Sequence, residues 1–191
     1  MNAECLIQSS PFIRSQDGLL AGGCFDTDRF VVGKCDVGLG VFANRDLAQG
    51  EHILMVGGPI IDFAETKRRG PRECMAIQIG ENRYYDTRPP GVFVNHSCEP
   101  NAGIMDDSNL VALRPIRKGE EIRFDYSTTM EEQSFTMDCL CGAPTCRRVV
   151  RDFSTLPEPL RRKYISQGIV MGFILARMRR RQMTADSQAS L

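Results

Sequence analysis

From Phe30 to about Tyr126 the chain is a succession of short apolar runs separated by polar and turn-forming residues. FVVGK, LGVFAN, HILMVGG, MAIQIG, NRYYDT, NLVALRP and EIRFDY are rich in Val, Ile, Phe and Tyr, and Gly, Pro and Asn/Asp clusters divide them. Runs of this length, bounded by such residues, read as strands. They predict a mainly β domain of small curved sheets rather than a helical bundle or a βαβ array. One helix is expected inside this region, around DFAETKRRG before Pro71. After Cys146 the apolar spacing widens, and LPEPLRRKYISQG and IVMGFILARMRRRQ predict two C-terminal helices. The first 28 residues carry little periodicity and read as a flexible leader, and the small polar residues of TADSQASL read as a disordered tail. The expected division is a leader over 1–28, a β domain over 29–128, a cysteine-rich segment over 129–150, helices over 151–182 and a tail over 183–191.

Composition narrows the function classes. With 191 residues and 42% hydrophobic content, the chain fits one domain with extensions. Lys plus Arg and Asp plus Glu both number 24, so overall charge gives no reason to expect nucleic-acid binding. The alternative of a zinc-ribbon nucleic-acid binder, suggested by CLCGAPTCRR and ARMRRRQ, is weaker than a solvated basic helix face. The most apolar window, GIVMGFILA, is about half the length of a membrane span, so no membrane association is expected. The N-terminus lacks the basic start and unbroken apolar core of a secretory signal, which leaves an organelle transit peptide open. Eight cysteines in such a chain point to an intracellular, reducing compartment, where clustered thiols more often hold metal than form disulfides.

Cys139, Cys141 and Cys146 form a C-x-C-x4-C array in CLCGAPTC, with Gly142 and Pro144 in the turns. Three thiolates in eight residues are costly to bury without a counter-charge, and Zn²⁺ accepts them in a tetrahedral set that wants a fourth ligand. Cys98, stiffened by Pro100, is the candidate fourth. The competing reading is a set of reduced structural thiols. Cys5, Cys24, Cys35 and Cys74 are isolated and read as small buried hydrophobes.

VNHSCEPN resembles the N-H-S-C-x-P-N motif of SET-domain protein lysine methyltransferases. GEEIRFDY resembles their G-E-E-L-x-F-D-Y motif, CLCGAPTC a post-SET zinc segment, and VGLGVFANRDLAQGE the opening G-x-G segment. The four motifs stand in the family's order over roughly 30–148. The resemblance implies a SET-domain fold with a threaded C-terminal segment (a pseudoknot). It also implies S-adenosyl-L-methionine as cofactor, one structural zinc, and a protein substrate, a histone or another intracellular protein, whose lysine enters from the opposite face.

Carried over residue by residue, Tyr126 matches the catalytic tyrosine and also contacts the cofactor. Gly38, Leu39, Gly40, Asn95 and His96 match cofactor-binding positions, His96 mainly through main-chain bonds and ring packing. Tyr84, Tyr85 and Phe124 match the substrate channel, and Phe124 hints at room for di- or trimethylation. Cys98, Cys139, Cys141 and Cys146 match the metal ligands. Two positions depart from the pattern: Met55 stands where many members carry a channel tyrosine, and Val92 where many carry an arginine. They motivate the alternative of a catalytically silent SET-like module that binds protein partners. Glu120, Glu121, Glu131 and Glu132 are candidates for an acidic substrate groove.

Overall fold

The computed structural model describes residues 27–189, so the expected leader, with Cys5 and Cys24, lies almost wholly outside the described residues. The strands are β1 (Phe30–Cys35), β2 (Gly38–Ala43), β3 (His52–Met55), β4 (Ile60–Ile61), β5 (Ala76–Gly80), β6 (Arg83–Asp86), β7 (Asn95–His96), β8 (Ala102–Met105), β9 (Asn109–Ala112), β10 (Glu121–Phe124), β11 (Met137–Asp138) and β12 (Val149–Val150). Each of the seven apolar runs contains one of them. They assemble into four small sheets, ordered β1-β2-β10-β7, β3-β9-β8, β4-β6-β5 and β11-β12. The architecture is mainly β, as the pattern predicts.

The sheet that matters most is held by β10. Its Ile122 faces Val41 of antiparallel β2, and its Arg123 and Phe124 face Asn95 and His96 of parallel β7. The chain between β7 and β10 is used by the β8–β9 hairpin, whose turn puts Asp106 and Asp107 at positive φ. After β10, residues 127–129 are fully buried. The Ser97 amide donates to the Phe124 carbonyl on one side. On the other, the Phe153 and Met171 amides donate to the carbonyls of Met130 and Thr128. This interior stretch lies where the threaded segment is expected. The core around it contains Val41, Ile53, Ile104, Ile122, Phe124 and Tyr164.

Among the described residues three α-helices accompany the sheets: α1 (Phe63–Arg68), α2 (Glu158–Ser166) and α3 (Gly172–Ala189). Asp62 caps α1 by accepting the Glu65 amide at 2.7 Å. Two expectations for the C-terminus need correction. Ile169, Val170 and Met171 are not helical; they are a buried connection after Gly168 (φ +70°), and α3 starts where Asp107 Oδ1 accepts the Gly172 amide at 2.7 Å. The residues expected as a tail from 183 continue α3 to Ala189. The Thr184 and Ser187 hydroxyls there donate to the Arg180 and Met183 carbonyls at 2.9 Å, so small polar residues satisfy themselves on a helix that is already propagating. No helix among the described residues is long and apolar enough to cross a membrane.

Candidate active site and metal centre

Tyr126 lies two residues beyond Phe124, the end of β10, so the strand's pairing with β7 brings it against the segment 94–96. Its hydroxyl donates to the Val94 carbonyl at 3.0 Å, and its ring lies 5.3 Å from that of His96 and 4.8 Å from that of Phe124. Burial pushes the phenol well above its ordinary range, so it is a neutral donor. Asn95 sits beside β2: its Nδ2 donates to the Leu39 carbonyl at 3.0 Å and to Glu121 Oε1 at 2.8 Å. Gly38, Leu39, Gly40, Asn95 and His96 thus occupy the two strands flanking β10. A Cβ on Gly40 would come within 2.7 Å of Glu121 Oε1 and 3.3 Å of Asn95 Nδ2, so only glycine leaves this surface open.

Tyr126, Phe124 and Tyr84 line a cleft of about 710 Å³, mouth included, together with Val94, Thr129 and Met130. Tyr84 and Tyr85 were both expected there, but Tyr85 is not among the lining residues. Adjacent residues of a strand face opposite ways, and on β6 it is Tyr84 that turns inward. The Tyr84 hydroxyl donates to Glu132 Oε2 at 2.6 Å. Burial raises the Glu132 carboxyl, the Tyr84 hydrogen bond opposes that shift, and the neighbouring charge of Glu73 reinforces it. Met55, at 67% exposure, lies off the cleft, whereas Val92 is part of its wall. The four acids do not form one groove. Glu120 pairs with Arg114, Glu121 with Arg123, and Glu131 is buried under the Ser154 amide, leaving Glu132 in the cleft.

The cysteine-rich segment is the loop of the β11–β12 hairpin, closed by the Cys139 amide on the Arg148 carbonyl at 2.7 Å. It folds back onto Cys98, whose sulfur lies 3.7 Å from that of Cys139. Two sulfurs on a tetrahedral zinc with arms of about 2.3 Å stand about 3.8 Å apart, so the spacing fits the ion. Main-chain amides point at three of the sulfurs, Arg147 at Cys98 (3.4 Å), Cys98 at Cys141 (3.5 Å) and Arg148 at Cys146 (3.4 Å). Cys146 Sγ is 3.8 Å from the Cys139 carbonyl oxygen. Burial pushes Cys98 up to about 11 and raises Cys139 further. Burial also raises Cys141, but the amides of Cys98 and Ala143 and the adjoining thiols outweigh it and bring that thiol down to about 7. Without a cation, ionising this set is costly; with one, it is a ready ligand field. His96 Nε2 lies 3.3 Å from the Cys98 sulfur and joins Cys98, Cys139 and Cys141 within 4.8 Å of one another.

Sequence reasoning passed over the group that joins the two sites. Asp125, fully buried, receives both Nη atoms of Arg147 at 2.8 and 2.7 Å, the Tyr164 hydroxyl at 2.9 Å and the Ser127 amide at 3.1 Å. One carboxylate thereby ties β10, the cysteine-rich hairpin and α2 together. The only signal was a charged residue between Phe124 and Tyr126 and a basic pair after Cys146.

Residues 38–127 match the family model described as the SET domain. Among the chain's relatives is histone-lysine N-methyltransferase trr of Drosophila melanogaster, 32% identical over 130 residues, or 58% of this chain and 5% of the relative. Histone-lysine N-methyltransferase ash1 of the same fly is 30% identical over 153 residues, 70% of this chain and 7% of the relative. Histone-lysine N-methyltransferase 2B of Homo sapiens is 32% identical over 127 residues, 58% of this chain and 5% of the relative. The similarity therefore spans only a small part of each of these long proteins.

Proposed function

We propose that the chain is a protein-lysine N-methyltransferase that uses S-adenosyl-L-methionine. The observation that carries this reading is Tyr126: a neutral phenol anchored on the Val94 carbonyl, lining the cleft and following the strand that β2 and β7, with Gly38–Gly40 and Asn95, flank. The relatives are named as histone-lysine methyltransferases, so a histone is the first substrate to test, with other lysine-bearing intracellular proteins next.

When bound, the cofactor supplies an electrophilic methyl on a sulfonium. Gly38, Leu39, Gly40, Asn95 and His96 would hold it, Gly40 because it has no side chain to fill the space. The chain's own task is to present a lysine amine. A lysine with pKa near 10.4 costs about 4 kcal/mol to deprotonate at neutral pH. Phe124, Val94 and Met130 disfavour the ammonium by desolvation, against the attraction of the Glu73 and Glu132 carboxyls that also line the cleft. Tyr126 and the Val94 carbonyl are polar but uncharged, suited to aligning the amine while stabilising its protonated form less than a carboxylate would. Residues 129–150 act as a clip: Cys98, Cys139, Cys141 and Cys146 would hold one structural zinc, fixing the hairpin beside the 94–98 segment.

The test is transfer of labelled methyl from the cofactor to lysine in histones and in a protein mixture, with Tyr126→Phe as control. Transfer by the wild type that falls on the order of 100-fold in the variant, from misalignment alone, supports the reading. Tight cofactor binding with no transfer from any substrate supports instead the silent, partner-binding module suggested by Met55 and Val92.

A further inference from the structure

Alternate residues of a strand point to opposite sides of its sheet, and β10 uses the two sides differently. Ile122 and Phe124 are buried, and Phe124 lines the cleft. Glu121 and Arg123 turn the other way and are partly exposed. Asn95, the register partner of Arg123, shares their side, since its Nδ2 donates to Glu121 Oε1 at 2.8 Å. Gly40 opens onto it as well, because a Cβ there would come within 2.7 Å of the same oxygen. The surface assigned above to the cofactor therefore carries a carboxylate and a guanidinium that the site as described leaves without a task.

The pair is held in place from both ends. Arg123 Nε donates to Glu121 Oε2 at 2.7 Å, Nη2 donates to the same oxygen, and Nη1 donates to the Cys141 carbonyl at 3.1 Å. Side-chain exposure is 9% for Glu121 and 32% for Arg123, so part of the guanidinium stays open beside Asn95. One hydrogen on each Nη has no partner among the described residues. The Asn95 amide, by contrast, has no hydrogen to spare: its Nδ2 faces the Leu39 carbonyl at 3.0 Å, Glu121 Oε1 at 2.8 Å and the Cys35 sulfur at 3.3 Å. A cofactor with an amino-acid end brings an ammonium and a carboxylate to this surface, and covering either charge without a partner is costly. Gly38, Leu39 and Gly40 have no charged group to offer, whereas an ion pair offers each charge its opposite.

We infer that Glu121 and Arg123 select the amino-acid end of the cofactor, Arg123 through its two remaining Nη hydrogens toward the carboxylate and Glu121 toward the ammonium. The ligand meets the pair with reversed polarity, so every charge keeps a counter-charge. Because Asn95 and the Cys141 carbonyl already orient the two side chains, little ordering is left for binding to supply. The inference rests on the cofactor reading proposed above.

Calorimetry on the full chain with four ligands tests it: S-adenosyl-L-homocysteine, its carboxamide, its deaminated analogue, and methylthioadenosine, which lacks the amino-acid end. Wild type should bind the carboxamide and the deaminated analogue each about 10- to 100-fold more weakly than S-adenosyl-L-homocysteine, as expected for lost hydrogen bonds between charged groups. Arg123→Met should lose a similar factor for S-adenosyl-L-homocysteine, yet bind the carboxamide and methylthioadenosine within about threefold of wild type. Glu121→Gln should do the same, with the deaminated analogue in place of the carboxamide. Arg123→Lys, which keeps the charge without the planar fork, should recover part of the loss. A merely structural role would weaken all four ligands alike, and that result overturns the inference, as does unchanged affinity of both variants for S-adenosyl-L-homocysteine. Should a variant fail to fold, wild type still decides, since indifference to loss of the carboxylate and the ammonium overturns the inference. Wild type that binds none of the four overturns the cofactor reading itself, whereas wild type that binds all four equally overturns only the role of the pair.

Discussion

Replacing Arg147 by Met tests the buried charge that ties the metal hairpin to the active site. The methionine matches much of the arginine stem but offers Asp125 no donor. The Asp125 side chain is 0% exposed, and of its four donors two come from Arg147, which is also its counter-charge at 2.7 Å. Removing one partner of such a pair leaves the other charge uncompensated, at a cost of about 3–5 kcal/mol. For a chain of this size each kcal/mol lowers the melting midpoint by about 2–4 °C, so a fall of about 6–20 °C is expected. Urea denaturation of wild type, Arg147→Met, Asp125→Asn and the double variant measures the pair directly. Once Arg147 is gone, neutralising Asp125 should cost less than it does in the wild type, a coupling of about 1–3 kcal/mol. An Arg147→Met cost under about 1 kcal/mol, or additive single effects, would refute the view that this carboxylate depends on its arginine.

Three further outcomes are expected. Gly103→Ala should destabilise by about 1–3 kcal/mol in thermal or urea melts, because a Cβ there would lie 2.5 Å from Ile169 Cγ2 in the packed junction of β8 with the C-terminal segment. Glu132→Gln keeps an acceptor for the Tyr84 hydroxyl while removing a carboxylate whose folded pKa is raised chiefly by burial. Wild type therefore loses stability as pH rises from its unfolded pKa through its folded one, and the advantage of the Gln variant should grow from about pH 4 upward; an advantage that shrinks with rising pH would contradict this sign. Chelation of the metal should speed amide exchange across 137–150 while leaving β2 and β10 protected, because β11 and β12 have only two residues each and such a hairpin is not stable by itself.

Legibility in the sequence divided according to range. The strands of the main sheets were readable because apolar runs and turn formers report burial locally. The cysteine array was readable because its members lie within eight residues of one another. β7 was not, since Asn95 and His96 are polar and become a strand only through parallel pairing with residues 28 positions away. The choice of Tyr84 over Tyr85 was equally hidden: the alternation is visible, but which phase faces the cleft depends on how the β4-β6-β5 sheet packs. Of the four glutamates, Glu120 and Glu121 are paired with arginines six and two residues away, whereas the burial of Glu131 was hidden because it depends on packing.

By itself, then, the sequence determined the mainly β architecture, the motifs around Asn95, Tyr126 and Cys139, and the donor types available for a metal, because these depend on local pattern and residue chemistry. The tertiary structure alone decided that Asp125 binds Arg147 and Tyr164, and that the His96 ring spans Cys98 and the Tyr126 amide. The bonds from Asp125 to Arg147 and Tyr164 and from the Tyr126 amide to His96 join segments separated by 22 to 39 positions, and which partners meet is set by the packing of the whole core.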